Sequence, residues 1–266
     1  MLEHPDHQPQ TASSHPASGK RLTAYLCLAA VIAIMLSAAT GILCWQIRSR
    51  IAASEVEAAK QACMEEYDAS RSSAYTRVVE AWNRTLADQY ADAVFCGDSL
   101  TAGGDWGEWY PYSTCVNLGV VGDTVTGLHS RIGQVEMLMP EKCFVMIGIN
   151  DLNYGGTADS ALQSYADMLT DLGRIVQENG VTTYLLSVLP VREGEIVYPA
   201  TNADVRLLNS GIAELAQQHG MIYVDLHAEF ADEQGLLRQE YSFDGLHLNE
   251  LGYYRWQELL APYMEE

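Results

Sequence analysis

The sequence predicts a three-layer α/β/α domain built on a parallel sheet, and three observations carry that prediction. Five short apolar runs recur after residue 92, stretches of helical composition separate them, and glycines or small polar residues follow the runs. A strand that is apolar at every position must be covered on both faces, which is the condition of a parallel sheet wrapped by helices.

Residues 1–21 come first, rich in His, Pro, Ser and Gln without an apolar period, and they read as a disordered tail. The run 22–47 then gives 26 residues without a charge, bracketed by Lys20 and Arg21 and by Arg48 and Arg50. At about 1.5 Å per residue it is long enough for one transmembrane helix across a core roughly 30 Å thick. A cleavable signal peptide is the competing reading, since Ser37 and Ala39 form a small-x-small site, but the apolar character runs on to Ile47. An uncleaved membrane anchor is therefore expected. Basic residues are nearly balanced across it, so the positive-inside rule gives no orientation. A short tail and one span suit a catalytic domain delivered to the extracytoplasmic side.

Residues 48–92 turn to Ala, Glu, Lys, Gln and Arg without Pro or Gly, the composition of a helical stalk. Val78, Trp82, Leu86 and Tyr90 recur every four residues, a stripe fit to pack on the following domain or on a second stalk in a homodimer. Residues 93–266 form the globular domain. Its strands are expected at Ala93–Cys96, Cys115–Leu118, Cys143–Ile147, Thr182–Val188 and Met221–Asp225, with helices such as Ala161–Gln177 and Asp204–His219 between them.

Charge excludes one class of partner. Of 266 residues, 15 are Lys or Arg and 35 are Asp or Glu, so the net charge of −20 repels phosphate backbones and argues against nucleic acid. The six cysteines show no metal-ligand spacing, and those in apolar runs read as small buried hydrophobes. Cys63, in a polar helical stretch, is the one placed for an inter-chain disulfide.

In doubly wound sheets function collects at the carboxyl ends of the strands. Gly97-Asp98-Ser99 follows the first strand, the second runs through Gly119 to Gly122-Asp123-Thr124, and the third runs into Gly148-Ile149-Asn150-Asp151. Asp244-Gly245-Leu246-His247 lies beyond the fifth. These are the parts of acyl transfer: a serine hydroxyl is a weak nucleophile that needs a base, and imidazole is the usual one. His247 is the expected base, and Asp244, three residues earlier on the same side of a helical turn, would hold its tautomer. Backbone N–H groups of Ser99 and Gly122 and the side-chain amide of Asn150 would donate to the oxyanion, each such donor being worth about 3 to 4 kcal/mol. Trp106, Trp109 and Tyr154 follow the first and third strands and would either wall the substrate site or pack in the core. Asp98, Asp123 and Asp151 are expected to fix loops through local backbone N–H groups.

At Ser99, Gly122, Asn150 and His247 the chain resembles, in order, the four blocks of the SGNH hydrolase superfamily, also called GDSL esterases, from about Val94 to Trp256. The run Gly97–Pro111, the turn Gly122-Asp123-Thr124 and the segment Tyr241–Asn249 look like the acetylhydrolase branch related to the catalytic subunits of platelet-activating-factor acetylhydrolase. The resemblance implies a flavodoxin-like five-stranded sheet and a serine esterase that needs no metal or cofactor, acting on a small acyl ester. Leu118 departs from it, standing where relatives often carry an Arg. An acyltransferase using the same acyl-serine, and a non-catalytic binding module in which anchor and stalk matter most, are the alternatives.

Overall fold

The computed structural model describes residues 89–265 apart from residue 197, with scattered residues between 35 and 86. The chain divides into two compact units, Met1–Ala69 and Ser70–Glu266. In the first, the described residues between 35 and 51 are helical and exposed. Among the described residues no helix is long and apolar enough to cross a membrane; most of the 22–47 run, with Cys27, Cys44 and Cys63, lies outside them.

The second unit carries five strands: β1 (Ala93–Gly97), β2 (Cys115–Gly119), β3 (Lys142–Met146), β4 (Thr182–Leu186) and β5 (Ile222–Val224). Its helices are α1 (Ser99–Ala102), α2 (Trp106–Trp109), α3 (Val125–His129), α4 (Gly133–Leu138), α5 (Ile149–Asn153), α6 (Ala158–Asn179), α7 (Asn202–His219), α8 (His227–Phe230) and α9 (Glu250–Glu265). All strand pairs are parallel, in the order β2-β1-β3-β4-β5. The chain steps from β1 outward to β2, then returns to the other side of β1 for β3. That reversal opens a crevice at the carboxyl ends of β1 and β3, where doubly wound sheets hold their ligands.

Alternation along each strand separates two cores. Val94 and Cys96 of β1, Cys143 and Val145 of β3 and Leu185 of β4 face Leu128, Tyr165, Leu169, Leu172, Leu208 and Ile212 from α3, α6 and α7. Ala93, Phe95, Phe144, Met146, Tyr184 and Leu186 face Trp106, Phe230, Trp256 and Leu260 on the opposite side. There Phe95, Phe144 and Tyr184 stack across three neighbouring strands, with centroids 4.9 and 4.6 Å apart. Each such pair adds about 0.5–1.5 kcal/mol beyond the area it buries.

Caps explain why the long helices begin earlier than their apolar periods. Thr157 Oγ1 accepts from Ser160 N at 3.2 Å and Ser160 Oγ from Thr157 N at 2.9 Å, a reciprocal box that starts α6 at Ala158 rather than Ala161. Thr201 Oγ1 caps α7 in the same manner through Asp204 N. β4 stops at Leu186, short of the expected Val188, because the Asn209 amide takes both backbone groups of Val188 at 2.8 Å. A strand cannot continue where a side chain has captured its donor and acceptor.

The stalk stripe is only partly realised. Leu86 is buried in the first core, and Asn83 Oδ1 accepts from Gln134 Nε2 at 2.9 Å. Tyr90 instead stands 53% exposed, because the helix has ended by residue 89 and the four-residue repeat is broken before it. Val78 and Trp82 lie outside the described residues.

Candidate active site

The first part of the site is made where β1 ends. A side chain at Gly97 would collide with the Met146 carbonyl and Thr101, so only glycine lets α1 fold back tightly at the end of β1. Asp98 Oδ1 then accepts from Leu100 N at 3.0 Å and caps the short helix that begins with Ser99. Burial pushes the Asp98 carboxyl up to about 7; the Leu100 N–H bond opposes this, and the charges of Asp123 and Asp151 add to it. Asn117 of β2 closes the loop from the other side, donating to the carbonyls of Thr101, Ala102 and Gly104 and accepting from Gly119 N.

The second part is the turn after β2. Gly122 sits at φ 75°, in the left-handed region where a side chain is strained. Its carbonyl accepts from the Tyr154 hydroxyl at 3.3 Å, and the carbonyl of Asp123 accepts from Asn150 Nδ2 at 2.9 Å. The Asn150 amide is thereby held against the glycine turn. Asp151, next in α5, accepts from Val125 N and joins the start of α3 to the same cluster.

Arg131 locks these pieces together, and sequence reasoning missed it. It is 4% exposed, and its Nε and Nη2 donate to Asp123 Oδ2 at 3.0 and 2.7 Å. Nη1 reaches the Leu118 carbonyl at 2.7 Å and Nη2 the Gly97 carbonyl at 3.2 Å. One guanidinium thus ties the ends of β1 and β2 to the turn that carries Gly122. The signal available in sequence was its place among Leu128, Ile132 and Val135, a charged residue on the apolar stripe of a helical stretch.

The third part is the segment 242–248. It is not the helical turn expected from the Asp244–His247 spacing, because Gly245 takes φ 83° and Ser242 pairs with Leu248 as an isolated bridge. Ser242 Oγ accepts from Gly245 N at 2.9 Å and donates to the His247 carbonyl at 2.7 Å, pinching the loop shut. Asp244 Oδ1 accepts from the backbone N–H of Leu246 and His247, and its Oδ2 lies 2.7 Å from His247 Nδ1. Partial burial pushes the Asp244 carboxyl up, but the bonds from the His247 ring and from these two N–H groups outweigh it and hold it below its ordinary value.

His247 Nε2 lies 3.1 Å from Ser99 Oγ. With Nδ1–H given to Asp244, Nε2 turns its lone pair to the serine hydroxyl and can take its proton. The structure therefore brings Ser99, Asp244 and His247 into one chain of hydrogen bonds and gathers Gly122 and Asn150 at an adjoining turn. The site is open: the side chains of His247 and Asp244 are 35% and 40% exposed.

The three aromatic residues separate. Trp106 is a core residue and not a wall of the site: it is 2% exposed, stacks on Phe95 at 4.0 Å and donates from Nε1 to the Thr101 carbonyl. That carbonyl is the partner an indole N–H needs when buried. Trp109 packs edge-on against Trp106 and lines a groove of about 500 Å³ between the α2 loop and α9, whose walls include neither Ser99 nor His247. Tyr154 reaches the site through its bond to the Gly122 carbonyl. Of the cysteines among the described residues, Cys96 and Cys143 are buried and Cys115 half-buried, all as free thiols.

Residues 95–255 match the GDSL-like Lipase/Acylhydrolase family. A chicken protein, platelet-activating factor acetylhydrolase IB subunit alpha2, is 26% identical over 191 residues, covering 67% of this chain and 80% of its own. A solved structure described as a putative platelet activating factor from Streptococcus pneumonia superposes with a TM-score of 0.64 at 24% identity, over 71% of this chain and 92% of that one. An acetyl xylan esterase, AlAXEase, superposes with a TM-score of 0.55 at 18% identity, over 64% and 98% of the two chains. The matched region spans all three parts of the site, from the end of β1 to the segment after His247, and on that ground the chain belongs to the GDSL-like lipase/acylhydrolase family and is a hydrolase acting on esters.

Proposed function

We propose that the protein is a membrane-anchored serine esterase that removes short acyl groups, acetyl foremost, from a neutral carbohydrate or lipid-like substrate on the extracytoplasmic side. The observation that carries the catalytic reading is the chain Asp244–His247–Ser99, with steps of 2.7 and 3.1 Å. Ser99 Oγ attacks the ester carbonyl while its proton passes to His247 Nε2. Negative charge on the former carbonyl oxygen is met by the N–H groups of Ser99 and Gly122 and by the Asn150 amide. The carbon–oxygen bond to the alcohol then breaks, His247 returns the proton to the leaving oxygen, and a water activated by the same imidazole releases the acid from acyl-Ser99. Asp244 stabilises the imidazolium at both stages.

The short acyl group is supported by the relatives, one named as an acetylhydrolase subunit and another as an acetyl xylan esterase. The anchor rests on the uncharged run 22–47. Neutral substrates suit a domain whose residues 93–266 hold 7 basic and 25 acidic side chains, a net charge of −18.

Hydrolysis of p-nitrophenyl acetate, butyrate and octanoate by the full chain, beside Ser99→Ala and His247→Ala, tests this reading. Acetate preferred in the wild type and turnover lost in both variants is the expected result. Equal rates in all three proteins would remove the proposal in favour of a binding module, and a labelled acyl group found on added sugar rather than in free acid would make the enzyme an acyltransferase. Protease accessibility in intact cells reads the placement of the domain.

A further inference from the structure

Phe243 is a large apolar side chain left 72% exposed immediately before the Asp244 of the triad. Its ring lies nearly parallel to the His247 imidazole, with centroids 6.1 Å apart and planes 14° from each other. Nothing in the fold needs it there: it belongs to neither core, whereas its chain neighbours Ser242 and Asp244 are held by bonds within the loop. An exposed aromatic face beside a reacting group is a place to look for a ligand.

The side of the reaction it faces follows from the role of its neighbour. The leaving oxygen must receive its proton from His247 Nε2, so the alcohol half of the ester departs along the imidazole. A ring stacked beside that imidazole meets the alcohol and not the acyl group. We infer that Phe243 is a specificity-determining residue, a platform on which the alcohol is held, and that this alcohol is an uncharged sugar ring.

Two features favour a sugar over an alkyl chain. An alkyl chain gains by being enclosed, and here the catalytic imidazole and carboxylate stay 35% and 40% exposed. A pyranose needs only one flat apolar surface for its C–H face, with polar groups at its edge. Glu195 supplies one: its Cβ lies beside Gly245 of the same loop and its side chain is 56% exposed, whereas the Arg192 guanidinium is taken by Glu195, Asp232 and the Leu237 carbonyl. This inference rests on the esterase reading and narrows it to one class of alcohol.

The test compares kcat/KM for an acetylated methyl pyranoside with kcat/KM for ethyl acetate, whose alcohol is too small to stack, in the full-length wild type, Phe243→Ala and Phe243→Trp. A drop of about tenfold or more in the pyranoside-to-ethyl ratio for the Ala variant, expressed in KM and restored by Trp, is expected for a stacking platform. An unchanged ratio would overturn the inference, since Phe243 would then only support His247. Wild-type preference for octyl acetate over the pyranoside would overturn the sugar in favour of an alkyl alcohol. Absence of wild-type turnover on ethyl acetate and p-nitrophenyl acetate alike would instead defeat the esterase reading, and the platform with it.

Discussion

Arg131 and Asp123 are buried together, each side chain at most 2% exposed, with all their charge answered inside the protein. Removing one partner leaves the other uncompensated in a low-dielectric interior, a loss of about 3–5 kcal/mol. Arg131→Met should therefore lower stability by that amount in urea, while the double variant with Asp123→Asn recovers part of it. At the proposed nucleophile and base, Ser99→Ala and His247→Ala should each reduce kcat by a factor on the order of 10³ or more, with little effect on the melting temperature. Asp98 behaves differently. Its folded carboxyl holds a proton up to about pH 7, whereas an unfolded one releases it near 4, so the folded state binds more protons in between. Stability is greatest below pH 4 from this group and falls as pH rises through 7; Asp98→Asn should flatten melting temperature against pH across that window. These residues also differ in how far sequence revealed them. Ser99 and His247 announce themselves because the proposed roles of nucleophile and base admit few residue types. Arg131 does not, because two of its partners are the backbone carbonyls of Gly97 and Leu118, which have no identity in a sequence.

Elements were legible where burial dictates composition and less so where a side chain intervenes. β1 is buried at every residue, so its run is apolar without alternation and its place in a covered sheet could be read directly. β4 ended early because of Asn209, on a helix more than twenty residues away in sequence. The 242–248 loop shows the same limit from another direction: a spacing of three fits a helix and also fits a turn closed by Ser242, and only Gly245 distinguishes them. Trp106 was ambiguous because an aromatic residue after a strand serves a core or a wall equally well. Two such devices can be tested without substituting Ser99, Asp244 or His247. Thr157→Ala removes the cap of α6 and should cost about 1 kcal/mol in a denaturation curve. Ser242→Ala should unfasten the loop that presents His247 and reduce kcat more than it reduces stability.

At the scale of the molecule, the sheet order β2-β1-β3-β4-β5 sets one crevice at its carboxyl edge, and residues from four separate regions meet there. The domain around it is strongly acidic, and that field reaches farther than any contact. Association of a polyanionic ester should consequently speed up as salt rises from about 0.01 to 0.15 M, as the screening length shrinks from about 30 to 8 Å. A neutral ester should show no such dependence, which stopped-flow or steady-state kcat/KM measurements at several ionic strengths would check.

Ser99 and His247 are 148 residues apart in the chain, with four of the five strands and the two longest helices between or beside them. A ribosome delivers the serine long before the imidazole, and until the 242–248 loop packs at the end of β1 the His247 ring does not stand near the hydroxyl. The emerging polypeptide is in that interval chemically mute: a serine alone attacks no ester. Enzymatic competence therefore waits on assembly of the sheet and of the loop that carries His247, and the rate at which newly made chains gain activity is a clock for that docking.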